Sequence, residues 1–121
     1  MIRLAILVLA FFLALPVVAA PRDDARALLD WLHATRDNIN RDGKAKDKVA
    51  LQRWRREAQQ KLNAWPDNVA HAEYMNCRTA LVDMVEFLDT YQRKDYAWRE
   101  RKGKHFRQDL ADCERAVAGK W

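Results

Sequence analysis

Two cysteines, three histidines and a strip of acids are the side chains through which this chain could do chemistry, because serine is absent and threonine occurs only at 35, 79 and 90. Without serine there is no serine nucleophile, and neither G-x-G-x-x-G nor G-x-x-x-x-G-K-[ST] occurs to cradle a phosphate. A redox pair would set Cys77 and Cys113 close together as C-x-x-C, which they are not. A zinc site would need two more ligands, and His33, His71 and His105 stand without ligand spacing. Each of these histidines lies among charged or polar residues of a helical segment and is expected at the surface. No C-x-x-C-H attaches a haem covalently. A non-covalent haem would have to draw on Met75 or Met84 with His105, and Met84 falls on an apolar stripe that core packing explains. No cofactor and no metal are expected.

Asp83, Glu86 and Asp89 follow one another at three-residue spacing beside an apolar seam. Acid–base catalysis needs carboxyls held in a cleft with their pKa values pushed apart. An open strip instead predicts acids that are solvated or paired with basic side chains of another helix. The chain therefore reads as a non-enzyme, and its one covalent feature is a disulfide. Two cysteines on apolar stripes of an exported protein pair with each other by default, giving Cys77–Cys113.

The other distinctive feature is a basic, aromatic segment. From Arg93 to Arg107 the chain reads RKDYAWRERKGKHFR, with seven Lys or Arg against Asp95 and Glu100. The whole chain is only +5, so its positive charge is concentrated there. Arg93, Lys94, Tyr96, Trp98, Arg99, Arg101, Lys102, Lys104 and Arg107 are the candidate partner-binding residues, since aromatics among arginines are enriched in binding hot spots. The competing reading is a solvated helix end that keeps the protein soluble.

These residues must be positioned by helices. Half of the 121 residues are hydrophobic and a third charged, only three are Gly and three Pro, and no stretch alternates as a strand would. A first helix is expected from about Asp23 to Ile39, with Ala25, Leu28, Leu29, Leu32 and Ile39 on one stripe and a turn at Asn40 to Gly43. A second begins near Ala45, where Leu51, Trp54, Ala58, Leu62 and Trp65 step by three or four until Pro66. Asp67 is the expected N-cap of the third. In that third helix Ala70, Tyr74, Cys77, Leu81, Met84, Leu88 and Tyr91 form a heptad-like seam. A fourth repeats the spacing at Phe106, Leu110, Cys113 and Val117, and Gly103 on the same stripe marks a close helix approach.

The midpoint between the cysteines is residue 95, and the third seam also stops there. An antiparallel hairpin turning near Arg93 to Tyr96 satisfies both observations. The fold class is all-α: a small four-helix bundle or helical-hairpin domain, its third and fourth helices joined by the disulfide.

The N-terminus reads as an address. Arg3 precedes twelve residues without a polar side chain, Leu4 to Leu15, and then come Pro16 and the small residues Val17 to Ala20. That is the three-part pattern of a secretory signal peptide, too short for a membrane span. Cleavage is expected near Ala19 or Ala20, leaving a single helical domain over residues 20–121, exported to a periplasm or beyond.

The expected function is a non-enzymatic binding protein, in the manner of an inhibitor or immunity protein against a secreted hydrolase or toxin. Its favoured partner is another exported protein with an acidic surface. A polyanion or anionic membrane surface is the alternative, with nucleic acid disfavoured because no nucleic-acid-binding module is recognisable. A helical chaperone, a cofactor-binding bundle, or a homodimer paired through the Ala70–Tyr91 seam completes the set.

Overall fold

Proline at the first helical position and acids in the first turn start a helix well, and the chain uses both. In the computed structural model, which describes residues 20–120, α1 runs Pro21–Lys44 with Asp23 and Asp24 against its N-terminal dipole. The expected signal peptide, residues 1–19, and Trp121 lie outside the described residues. α2 spans Lys48–Ala64, a 3₁₀ turn covers Val69–Tyr74, α3 spans Met75–Arg93 and α4 spans Tyr96–Val117. The described residues are all-α, and α3 and α4 form the expected hairpin with Lys94 and Asp95 as its turn.

Cys77 and Cys113 are disulfide-bonded with their Cα atoms 4.7 Å apart, and both are fully buried. Around them Leu32, Ala25, Ala58, Ala80, Leu81, Met84, Leu88, Leu110 and Ala116 make one core drawn from all four helices. The seam residues Cys77, Leu81, Met84 and Leu88 are buried inside a single chain.

Four local expectations are corrected. Asn40 to Gly43 is the last stretch of α1, not a turn. The chain reverses after it, at Lys46, whose φ of 54° puts it in the left-handed region. The Asp47 amide donates to the Asp42 carbonyl at 3.0 Å and the Lys46 amide to the Gly43 carbonyl at 3.2 Å, closing a Schellman motif. The reason is tertiary. Continuing the helix buries Asp42, which accepts a 2.7 Å hydrogen bond from the Trp54 indole, and brings Gly43 under Tyr91. Second, Asp47, whose side chain accepts from the Ala50 amide, caps α2, which begins at Lys48 rather than near Ala45.

Third, the cap after Pro66 is Asn68, not Asp67, since Asn68 Oδ1 accepts the His71 amide at 2.9 Å. It opens a 3₁₀ turn, and the tighter winding rotates the start of the seam. His71 and Tyr74 face inward at three-residue spacing ahead of Cys77, while Ala70 is exposed. Fourth, His71 is therefore buried rather than superficial. Its ring nitrogens contact Asn68 at 2.8 Å and Asp24 at 2.9 Å, tying the turn to the start of α1. Trp31, Trp54 and Trp65 are half-buried around the core.

Candidate functional site

The candidate site is the turn end of the α3–α4 hairpin, and its shape follows from how α3 stops. Lys94 takes a left-handed conformation, φ 52°, and the Asp95 amide donates back to the Thr90 carbonyl at 3.3 Å. Asp95 then caps α4 by accepting the Trp98 amide at 3.0 Å. This tight reversal leaves Arg93 and Lys94 exposed at the tip and puts Tyr96 and Trp98 in the first turn of α4.

The predicted partner-binding residues divide into two groups. Arg99 turns inward. Its guanidinium lies 3.7 Å from the centre of the Tyr91 ring and 5.0 Å from that of Tyr96. It also donates to Thr90 Oγ1 at 3.2 Å. Lys102 is likewise spoken for, paired with Glu86 of α3 with only 13% of its side chain exposed. These two cations hold the hairpin together.

The outward group is Arg93, Lys94, Tyr96, Trp98, Arg101, Lys104 and Arg107, all exposed. Tyr96 is 71% exposed and Trp98 36%. Trp98 is flanked by Arg101 at 5.2 Å and Lys102 at 4.8 Å from its ring centre, so cations fix the ring that solvent still reaches. Arg107 stands apart from the tip, bordering a hollow between α1, α3 and α4.

The acidic strip also divides. Glu86 pairs with Lys102 and Asp89 with Arg55 of α2, as an interhelical strip should. Asp83 departs from this: it is 5% exposed, and its Oδ2 is buried without a hydrogen-bond partner. Burial pushes its carboxyl up to about 8, helped by a hydrogen bond to Asp109 of α4 and by that residue's charge, while Lys102 pulls the other way and Glu86 adds to the rise. Near neutral pH Asp83 thus keeps its proton. Asp83 reaches across the hairpin to Asp109.

The chain matches no protein-family model, and neither curated proteins nor solved structures are similar to it.

Chemistry elsewhere is limited by the same geometry. His33 pairs with Glu114 at 2.8 Å and His71 with Asp24, while His105 is exposed on α4. Met84 is buried in the core, and Met75 is 49% exposed. Among the described residues no group of three or more His, Cys, Asp or Glu is arranged to hold a metal. No helix among them is long and apolar enough to cross a membrane. The disulfide is a bond of oxidising compartments and suggests a place outside the cytoplasm.

Sequence reasoning missed three residues. Asp109 was legible through hairpin symmetry, since it and Asp83 lie at nearly equal distances from residue 95. Arg36 and Asn40, which face Arg107 across the hollow, carried no signal because they sit on a different helix.

Proposed function

We propose that the protein is an exported, non-enzymatic binding protein that captures an acidic partner protein in the periplasm or outside the cell, after cleavage of the leader near Ala19 or Ala20. The observation that carries this reading is the cation-braced, solvent-reached Trp98 beside Tyr96 at the end of a disulfide-stapled hairpin. An aromatic side chain already held in place loses little conformational freedom on binding, and Arg and Trp together form the commonest hot-spot chemistry. The surrounding cations Arg93, Lys94, Arg101 and Lys104 would steer an acidic surface onto it. An inhibitor or immunity protein acting on a secreted hydrolase or toxin is the role that suits such a disulfide-stapled, basic tip.

A polyanion would use the same charges but would not need the ring. The test separates the two by variants that spare the structural cations Arg99 and Lys102. Oxidised protein is immobilised, exposed to extracts of exported proteins, and eluted in rising salt. Trp98→Ala should weaken retention of a single stoichiometric partner by roughly thirtyfold, the scale of one hot spot. Arg101→Glu with Lys104→Glu should slow its association. Retention unchanged by Trp98→Ala overturns the proposal. A steep salt dependence with no preference among partners would assign the tip to polyanions instead.

A further inference from the structure

A hollow of about 110 Å³ opens between α1, α3 and α4, away from the tip aromatics. Ile39, Met84 and Phe106, all buried, and half-buried Phe87 give it an apolar floor. The guanidinium-bearing side chains Arg36 and Arg107 stand at its mouth. Arg36 shares its charge with Asp37, 3.2 Å away on the same helix. Arg107 is exposed and is in no ion pair among the described residues, so the mouth holds an uncompensated cation.

Gly103 forms part of the wall, and its presence needs a reason. Glycine in mid-helix costs about 0.5–1 kcal/mol relative to alanine. Neither a left-handed backbone nor a close helix crossing requires it here. The nearest atoms a Cβ at Gly103 would meet are in the Phe87 ring at 3.4 Å and the Arg107 guanidinium at 3.5 Å, which are ordinary contacts. What a side chain would remove is the hollow itself.

The size selects the occupant. Drug-sized ligands need about 300–1,000 Å³, and an apolar cavity near 150 Å³ takes a benzene. On that scale this hollow admits about four carbons, the size of an isobutyl group. We infer that the hollow binds an isobutyl-sized apolar group carrying a carboxylate, the carbons against Ile39, Met84 and Phe106 and the charge at Arg107 and Arg36. A free short branched acid and a polypeptide chain ending in leucine both present this chemistry. The inference does not rest on partner capture at the tip.

The experiment titrates 3-methylbutanoate into oxidised, isotope-labelled protein and follows the Ile39 and Met84 methyl resonances by NMR. Acetate lacks the apolar group and 3-methylbutanamide lacks the charge, and each should bind at least tenfold more weakly. Arg107→Gln should weaken 3-methylbutanoate by roughly tenfold, the scale of one charged hydrogen bond. Gly103→Leu should abolish the shifts by filling the space, with Gly103→Ala intermediate and its melting temperature not lowered. Acetyl-Gly-Gly-Leu with a free terminus provides the second arm. Tighter binding than the free acid assigns the site to a chain terminus, and weaker binding assigns it to a free acid. No saturable shift from either probe up to roughly 20 mM overturns the inference. So does Gly103→Leu that binds as the parent does. Either failure leaves the tip proposal standing, because Trp98 and Arg101 take no part in the hollow.

Discussion

The α3–α4 hairpin is closed differently at its two ends. At one end the helices are joined covalently at Cys77–Cys113, with buried Ala80, Leu81, Leu110 and Ala116 within a turn of the bond on either arm. At the other they are joined by Arg99 on Thr90 and Tyr91 and by Lys102 on Glu86, polar contacts of long side chains. The covalent end fixes register and holds the arms in a small core. The turn end can then leave an aromatic pair exposed, because it is not asked to supply apolar burial. With the proposed function, stability and binding fall at opposite ends of one element.

If that division holds, the largest effect on folding comes from the covalent end. Replacing both cysteines by alanine opens a loop with a sequence separation of 36 residues. The expected loss is about 4 kcal/mol, a large share of the stability of a domain this size. Thermal melting followed by circular dichroism should show Tm lower by about 20 °C. A loss below 1 kcal/mol would mean that the polar end alone holds the hairpin, and the comparison would fail.

Between the two ends lies Asp83, whose protonation gives the hairpin a pH dependence. Its folded carboxyl titrates at about 8 against 3.8 for the free side chain, so between those values the folded state carries a proton that the unfolded state lacks. Its contribution to stability is complete in acid, falls as pH rises through this window, and is gone above about 8. Asp83→Asn keeps the shape, supplies a donor toward Asp109 and cannot ionise. Denaturant unfolding at pH 8.5 should find it more stable than the parent by about 2 kcal/mol, with the gain shrinking toward pH 5. A constant difference across that range would show that the Asp83–Asp109 contact does not titrate as placed here.

How much of this was legible depends on whether a feature is periodic or tertiary. The hairpin, its turn and the disulfide follow from apolar spacing and from the equal distance of both cysteines from residue 95. The same symmetry sets Gly103 opposite Phe87, each eight residues from the midpoint. Asp83 looked solvated because an i, i+3 strip of acids ordinarily is, and its burial comes from α4 rather than from α3. Gly43 resembled a turn residue, yet its role is to make room for Tyr91. The basic segment was read as one surface, but periodicity on α4 turns Arg99 and Lys102 toward α3 and the other cations outward. Charge runs show composition, and only the helix phase shows which charges are available.

A smaller effect is expected where the turn end is braced. Arg99→Ala removes the stack on Tyr91 and the hydrogen bond to Thr90 and should cost about 1–2 kcal/mol. Hydrogen exchange should quicken for amides around Thr90 to Trp98 while those beside Cys77 and Cys113 stay protected. Equal acceleration at both ends would argue that the hairpin opens as one unit.

The smallest effects sharpen the comparison most, because two helical glycines should respond with opposite sign. Alanine at either position gains about 0.5–1 kcal/mol of helix propensity. At Gly103 the new methyl has ordinary contact distances, so that gain should survive as a modest rise in Tm. At Gly43 the methyl would sit 2.6 Å from the Tyr91 hydroxyl, and the ring can yield only by leaving Phe87 at 5.6 Å and Arg99 at 3.7 Å. Gly43→Ala should therefore be less stable than Gly103→Ala by about 1–2 kcal/mol. Tyr91→Phe removes the clashing oxygen, so it should restore about 1 kcal/mol in the Gly43→Ala background and not in the Gly103→Ala background. Recovery in both would mean that the Tyr91 hydroxyl destabilises the turn end for a reason unrelated to Gly43. Recovery in neither would place the cost of Gly43→Ala in the backbone of α1, and the end of that helix, not the Tyr91 stack, would then be what the glycine serves.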